Sequence, residues 1–148
     1  MFLGEFIHTL DEKGRLTIPA RFRDLLTDGA VVTRGFDRHL IVYPADTFER
    51  VSRKARSLSP TDPQNRALFR LLFSGAAEAA PDKASRILIP AFLRNYAGLE
   101  LSTEVTVIGS GEYAEIWSPG GWQEQLAQLN DPALNAQRFA ALDLAFTS

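Results

Sequence analysis

Two pairs of charged residues repeat one spacing in the chain: Asp11 with Arg15, and Asp82 with Arg86. In each pair three residues separate the aspartate from the arginine, and a short, mainly apolar run ending in Ile-Pro follows. A guanidinium group bridges phosphates or pairs with the two acceptors on the major-groove edge of guanine, so one interpretation is a nucleic-acid contact. The other is an exposed ion pair that only shapes a turn and contributes about 0–1 kcal/mol. The spacing leaves both interpretations open.

Each segment also contains a lysine, Lys13 in the first and Lys83 in the second. If the arginines contact DNA, we expect these lysines to contact phosphates. We assign to the two aspartates the role of shaping the turns, because a carboxylate accepts hydrogen bonds from backbone N–H groups two or three residues on. Gly14 suits such a turn because it tolerates positive φ. Taking Ala84 as its counterpart, we expect the second turn to differ from the first.

Little in the chain supports catalysis. It has no cysteine and two histidines, His8 and His39, each beside apolar residues in a β-prone segment. We interpret both histidines as structural, because they show no metal-ligand spacing. A phosphate-binding Gly-rich loop and a nucleophile elbow are both missing from the sequence. We therefore predict that the protein is not an enzyme and has no metal, cofactor or small-molecule substrate.

The aspartate–arginine segments belong to a longer internal repeat. Residues 11–23 and 82–94 share six identities in thirteen positions at an offset of 71. Further along, the offset becomes 74 and pairs Tyr43 with Trp117 and Phe48 with Trp122. These aromatic residues are expected in a core or an interface rather than as platforms for base stacking. The sequence thus predicts two copies of one supersecondary unit.

Each unit has the same predicted order of elements. A strand, a turn, a second strand, a short helix and two further strands are followed by helices. Because four short strands cannot bury both faces alone, we expect the two units to interlock into one barrel-like β core flanked by helices. In the first unit, Arg21 and Arg23 on the short helix are expected to extend the surface beside the first hairpin. In the second, residues 132–146 are expected to form an amphipathic helix with four apolar residues, namely Leu134, Phe139, Leu142 and Phe146.

The net charge of −2 argues on average against nucleic acid as a partner, but the charge is unevenly distributed. Residues 1–74 contain 12 Lys/Arg and 9 Asp/Glu, whereas residues 75–148 contain 4 Lys/Arg and 9 Asp/Glu. The halves therefore carry +3 and −5. Four basic residues lie on the predicted helix that begins near Pro44 and are interpreted mainly as a solvated face: Arg50, Arg53, Lys54 and Arg56. No apolar stretch is long enough for a membrane-spanning helix.

The segments MFLGEFIHTLDEKGRLTIPARFR and PDKASRILIPAFLRNYAGL, with the span between them, resemble the MraZ family over essentially the whole chain. The resemblance implies an α+β fold, an intramolecular AbrB-like swapped-hairpin β-barrel made from two tandem repeats and flanked by helices. Residues 5–47 and 76–119 would form the two SpoVT-AbrB-type repeats. Residues 48–74 and 121–146 would form helical segments that pack on them.

The same resemblance implies a function. Family members are sequence-specific, double-stranded-DNA-binding transcriptional regulators, commonly repressors, that act in the cytoplasm on the nucleoid. They recognise short G-rich direct repeats upstream of the division and cell-wall gene cluster, and they assemble into rings of several subunits that display the hairpins on one face. The basic and acidic halves suggest that neighbouring copies meet head to tail. The alternative is a protein-interaction module, such as an AbrB-like antitoxin.

Overall fold

A curved antiparallel sheet with helices around it forms the protein, for which a computed structural model describes residues 1–142 and 144. The strands are β1 (Glu5–Leu10), β2 (Arg15–Thr17), β3 (Ala30–Arg34), β4 (Leu40–Pro44), β5 (Ala77–Glu78), β6 (Arg86–Leu88), β7 (Thr103–Gly109) and β8 (Ala114–Trp117). The helices are α1 (Ala20–Arg23), α2 (Ala45–Arg56), α3 (Pro63–Ser74), α4 (Ala91–Ala97), α5 (Pro119–Leu129) and α6 (Pro132–Arg138). A 3₁₀ turn, Asp24–Leu26, continues α1.

The strand order shows how the two repeats are interlocked. It runs β5-β3-β4-β8-β7-β1-β2-β6, with every neighbouring pair antiparallel. Four of the pairings join one repeat to the other: β1 with β7, β2 with β6, β3 with β5, and β4 with β8. Each repeat therefore completes the sheet of its partner. This confirms the predicted α+β fold, an AbrB-like swapped-hairpin arrangement made within one chain.

Alternation along β2 and β6 places the middle residue of each strand in the core and its two neighbours toward the outside. Leu16 and Ile87 face each other across the β2–β6 pair and are 0% and 1% exposed. Phe22 of α1 and Leu93 of α4, which match at the offset of 71, close the same core from above the sheet and are 1% and 0% exposed. Full burial of one such side chain stabilises the fold by about 1.5–3 kcal/mol. Because both repeats supply these residues, neither has a complete core without the other.

Prolines lie at the starts of three helices, including the one predicted to begin near Pro44. Pro19, Pro44 and Pro90 are the N-cap residues of α1, α2 and α4. The Asp62 side chain caps α3 by accepting a hydrogen bond from the backbone N–H of Gln64. A proline at a helix start costs no hydrogen bond, because the first N–H groups of a helix have no partner within it. No helix among residues 1–142 has the length and apolar character needed to cross a membrane.

The paired aromatic residues confirm the second part of the repeat. Tyr43 and Phe48 have ring centroids 5.7 Å apart, and their counterparts Trp117 and Trp122 have centroids 5.8 Å apart. Tyr43 and both tryptophans are buried and Phe48 is half-buried, which confirms the prediction that they pack in a core.

A buried polar cluster joins the residue before β4 to β8 at the seam between the repeats. His39 is 4% exposed, stacks on Trp117, and has Nε2 3.3 Å from Oε2 of Glu115. The indole N–H of Trp117 donates to Oε1 of the same carboxylate over 3.0 Å. Burial raises the pKa of the Glu115 carboxyl, but the hydrogen bonds from His39 and Trp117 outweigh it and hold that pKa below 4.5. His39 is thus structural, as predicted, and His8 is half-buried on β1.

Two element boundaries differ from the prediction. The helix expected over 132–146 ends at Arg138, and none of the residues in α6 is buried, so no packing supports its extension. Phe139 and Leu142 are 45% and 60% exposed, and Phe146 lies outside the described residues. The two units are expected to match, but the first strand of the second unit is reduced to Ala77–Glu78 where β1 spans Glu5–Leu10, because alanines and Pro81, which has no N–H, follow it.

Candidate nucleic-acid interface

In the first hairpin turn, the Asp11 carboxylate organises the whole loop. Its Oδ1 accepts hydrogen bonds from the backbone N–H groups of Lys13 (2.9 Å) and Arg15 (2.8 Å), and its Oδ2 accepts one from Nε of Arg15 (2.8 Å). The backbone closes the turn through Asp11 N to Arg15 O and Gly14 N to Asp11 O. Gly14 has φ +80°, a conformation that a residue with a side chain adopts at a cost.

The second turn repeats this arrangement. Oδ1 of Asp82 accepts from the N–H groups of Ala84 (2.9 Å) and Arg86 (2.9 Å), and Oδ2 accepts from Nε of Arg86 (3.0 Å). The residue with positive φ is Ser85, at +62°. The expectation that Ala84 replaces Gly14 was therefore wrong. Ser85 is the counterpart of Gly14 at the offset of 71, and the two turns make the same hydrogen bonds.

The hydrogen bonds lower the pKa of both carboxyls. For Asp11 the backbone N–H of Arg15 is the main cause of a pKa below 3.8, and for Asp82 it is the backbone N–H of Arg86. Both aspartates are therefore ionised, and acceptors only, at neutral pH.

Each aspartate also orients its arginine. The ion pairs Arg15–Asp11 and Arg86–Asp82 both use the guanidinium Nε, and the arginine side chains remain 32% and 33% exposed. Within the described part of the chain, the Nη1 and Nη2 groups of both arginines donate no hydrogen bond. The two interpretations of the aspartate–arginine spacing are therefore compatible. The ion pair holds the Nε side of the guanidinium, while the Nη edge, which matches the O6 and N7 acceptors of guanine, points away from that contact.

The two hairpins meet along the β2–β6 pair, where Arg15 lies opposite Leu88 and Thr17 lies opposite Arg86. Leu16 and Ile87 face the core, so these four flanking residues lie on the outer face of the sheet. Arg15 and Arg86 are diagonal neighbours on this face, a placement that sets their Cα atoms about 7–8 Å apart. We call Arg15, Thr17, Arg86 and Leu88 the outer face.

Sequence reasoning missed Thr17 and Leu88 as members of this surface. Leu88 is 56% exposed although it lies in a strand among buried apolar residues. The signal was present, because residues at an odd distance from the buried Leu16 and Ile87 must face outward in a strand. Thr17 and Leu88 occupy equivalent positions in the two repeats, so the outer face differs between its two halves.

The two lysines are exposed on the turns but occupy different positions. Lys83 stands at the place of Glu12, and Lys13 stands at the place of Ala84. The first turn, residues 11–15, therefore has no net charge, whereas the second, residues 82–86, carries +1.

Two further arginines lie beneath the turns, and each belongs to the opposite repeat. Arg94 Nη1 donates to Ile89 O (3.0 Å), and a Cβ on Gly14 would clash with that nitrogen. Arg23 Nη1 donates to the Ser85 hydroxyl over 3.1 Å. The expectation that Arg23 extends the first hairpin is thus corrected: it contacts the second. The sequence places both arginines at matching repeat positions, but it does not show that the strands cross.

The basic residues of helix α2 lie apart from the hairpins in the sheet order. Helix α2 packs on β3 and β4, which β8, β7 and β1 separate from β2 in the sheet order. There Arg53 and Arg56 pair with Glu49 at the surface, as expected of a solvated face. Among residues 1–142 and 144, no three His, Cys, Asp or Glu side chains are grouped so that they could hold a metal ion.

Interlocked repeats with paired aspartate–arginine hairpins define a two-repeat AbrB-like barrel protein. A sequence model of the family described as "MraZ protein, putative antitoxin-like" matches residues 1–71 and again residues 72–144. The chain belongs to the MraZ family.

Close relatives match along nearly their whole length. The chain is 48% identical over 143 residues to "Transcriptional regulator MraZ" of Roseiflexus castenholzii, covering 96% of this chain and 99% of the relative. It is 47% identical over 144 residues to the protein of the same name from Thermomicrobium roseum, with 96% and 99% covered. The protein of that name from Dictyoglomus thermophilum is 49% identical over 124 residues, 84% of each chain. Membership of a family of transcriptional regulators confirms that the protein is not an enzyme.

Proposed function

We propose that the protein is a transcriptional regulator that binds double-stranded DNA through its two hairpins. The observation that carries this proposal is that an aspartate orients both arginines through Nε, while their Nη groups donate to no described residue and about a third of each side chain is exposed. Arg15 and Arg86 are the readers of guanine edges or phosphates. Lys13 and Lys83 contact phosphates, and Asp11, Asp82 and Gly14 shape the turns.

The chemistry of the outer face supports a G-rich target. Guanine offers two acceptors in the major groove, and a guanidinium edge pairs with both. The diagonal separation of Arg15 and Arg86, about 7–8 Å, spans roughly two base-pair steps. The exposed methyl groups of Leu88 and Thr17 lie beside the two arginines and suit contact with a thymine methyl. Following the family resemblance, we infer that the protein represses the division and cell-wall gene cluster by binding short G-rich direct repeats, and that it acts in the cytoplasm on the nucleoid.

The test is binding to the DNA upstream of the protein's own gene, measured by footprinting and titration at two salt concentrations. Arg15→Ala and Arg86→Ala are each expected to cost about 1–3 kcal/mol, a factor of roughly 5 to 150 in affinity, with little change in thermal stability. Arg53→Ala is the matched control, since it removes the same charge from a 69% exposed side chain on α2. Equal loss in the control, or loss of folding in the hairpin variants, would contradict the proposal.

We further propose that several copies form a ring with the hairpins on one face. Helices α2 and α3 flank an apolar groove that includes Tyr43, Leu58 and the 72% exposed Phe36, with Arg34 and Lys54 at its rim. The basic rim suits the acidic second repeat of a neighbouring copy, and a head-to-tail contact of this kind closes rings. The oligomer is expected to dissociate in high salt and on Lys54→Glu substitution, as measured by light scattering. An oligomer insensitive to both would sink the head-to-tail arrangement.

The alternative function is an interaction module of the antitoxin type, which the family description "putative antitoxin-like" favours. It predicts a stoichiometric protein partner in pull-downs and no protected repeats in the footprint. The proposed regulator predicts regularly spaced protected repeats with a steep salt dependence.

A further inference from the structure

We propose that Arg23 and Arg94 are positioning residues, each of which holds the DNA-reading hairpin of the opposite repeat. The inference rests on the proposed function and adds two residues that do not need to touch DNA themselves. Arg94, in the second repeat, holds the turn that contains Gly14 and so positions Arg15. Arg23, in the first repeat, holds the turn that contains Ser85 and so positions Arg86.

The contact at the first turn is a packed one. The guanidinium of Arg94 occupies the space that a side chain at residue 14 would need, since a Cβ there would lie 3.2 Å from Cζ and closer still to Nη1. Its Nη1 also donates to Ile89 O, and the N–H of that same Ile89 donates to Gly14 O over 2.8 Å. Arg94 therefore fixes Ile89, the residue after β6, which in turn holds the Gly14 carbonyl.

The contact at the second turn uses a different donor–acceptor pair at the equivalent place. Ser85 is 8% exposed, and its hydroxyl accepts the hydrogen bond from Arg23 Nη1. Its carbonyl accepts from the N–H of Ile18 over 2.8 Å, the counterpart of the bond between Ile89 and Gly14. In the second turn the Ser85 hydroxyl accepts from the guanidinium of Arg23, whereas in the first turn the guanidinium of Arg94 packs directly against Gly14.

The crossed connections follow from the pairing of β2 with β6. Each turn lies beside the end of the opposite repeat's strand, and α1 or α4 begins directly after that strand. The helix of one repeat is thus carried to the turn of the other. Consequently, damage to one short helix is expected to disturb the hairpin that belongs to the other repeat.

The experiment is a set of crossed double variants in the full chain, titrated against the upstream DNA. Methionine replaces arginine because it keeps most of the apolar stem and removes the guanidinium. Arg94→Met and Arg23→Met are each expected to weaken binding about 2- to 12-fold, the equivalent of one hydrogen bond. In the Arg15→Ala background, Arg94→Met should cause little further loss of affinity, whereas in the Arg86→Ala background it should cause its full loss. Arg23→Met should show the opposite pattern. Arg94→Lys, which retains one donor for Ile89 O, should recover part of the loss.

Arg53→Met is the matched control. Arg53 lies on α2, which packs on strands separated from β2 and β6 in the sheet order, is 69% exposed and pairs with Glu49 at the surface. A loss for this control as large as that for Arg23→Met would mean that charge alone matters, and the proposal would fail. It would also fail if the losses multiplied in both arginine-to-alanine backgrounds, because Arg23 and Arg94 would then contact DNA directly.

A second readout separates this inference from the proposed function. Backbone amide exchange by NMR needs no DNA, and Arg94→Met should accelerate exchange at Lys13 and Arg15 but not at Ala84 and Arg86. Equal acceleration in both turns would overturn the crossed arrangement. If the wild-type protein binds no upstream DNA, the proposed function fails, while the exchange pattern still decides whether the arginines hold the turns.

Discussion

The contact between Gly14 and Arg94 makes Gly14→Ala a sharp test, because another glycine in the chain offers a matched control. Gly14 has φ +80° and a Cβ there would clash with Arg94 Nη1, whereas Gly111 has φ +85° and a Cβ there would meet no atom within 4 Å. Both substitutions therefore suffer the same backbone penalty. Only Gly14→Ala must also displace a guanidinium.

The magnitude follows from these two effects. An alanine held at positive φ costs about 1–2 kcal/mol, and this is the whole loss expected for Gly111→Ala. Displacing Arg94 breaks its hydrogen bond to Ile89 O and costs about a further 0.5–1.5 kcal/mol. Gly14→Ala is thus expected to lose roughly 1.5–3.5 kcal/mol in the free energy of unfolding. In a chain of this size each kcal/mol lowers Tm by about 2–4 °C.

The assay is urea unfolding of both variants, repeated in an Arg94→Ala background where the guanidinium is gone. In that background the penalty of Gly14→Ala should fall close to that of Gly111→Ala, and the difference that is left comes from the new Cβ 3.2 Å from Ile89 O. DNA affinity should decrease for Gly14→Ala and stay unchanged for Gly111→Ala. The reasoning is refuted if the two glycine variants unfold at the same urea concentration in the wild-type background.

Two further outcomes are expected. Because the pKa values of Asp11 and Asp82 are lowered, their ionised carboxylates stabilise the hairpins above pH 3.8, and this stabilisation is lost as the pH falls through the lowered pKa values. The NMR signals of the two turns should therefore stay constant from about pH 5 to 7. A transition inside that window would contradict the lowered pKa values. Glu115→Ala should cost about 1–3 kcal/mol in urea unfolding, because it leaves buried groups of His39 and Trp117 without a partner. Glu115→Gln should cost less, since an amide oxygen still accepts from the indole.

The repeat made the fold accessible from sequence, because matching residues at a constant offset predict matching elements. The match of Tyr43 with Trp117 predicted that both pack in a core or an interface, and both are buried. The sequence was less informative about elements whose length depends on packing. The helix expected over 132–146 stops at Arg138, because amphipathic spacing does not reveal whether a surface exists to receive the apolar face.

The candidate site was predicted in part. The aspartate–arginine spacing identified both turns, and local hydrogen bonds of Asp11 and Asp82 fulfil the expected turn-shaping geometry. The roles of Arg23 and Arg94 were not predicted, because they depend on contacts between residues 62 or more positions apart or on the packing of a guanidinium against a glycine. Chain spacing carries no information about such contacts until the strand pairing is known.

Because the repeats interlock within one chain, formation of the barrel does not depend on protein concentration, and the two ends of the barrel differ. Two separate chains that built such a barrel would come apart on dilution, whereas in this chain the halves are covalently joined, and closing the barrel is a unimolecular step independent of concentration.

Two separate copies would also carry identical hairpins and match a palindrome. Here the pairs Gly14/Ser85 and Thr17/Leu88 have diverged, so a barrel lying on DNA has a front and a back. An operator read by such a barrel has a polarity, and successive barrels would read it in the same direction.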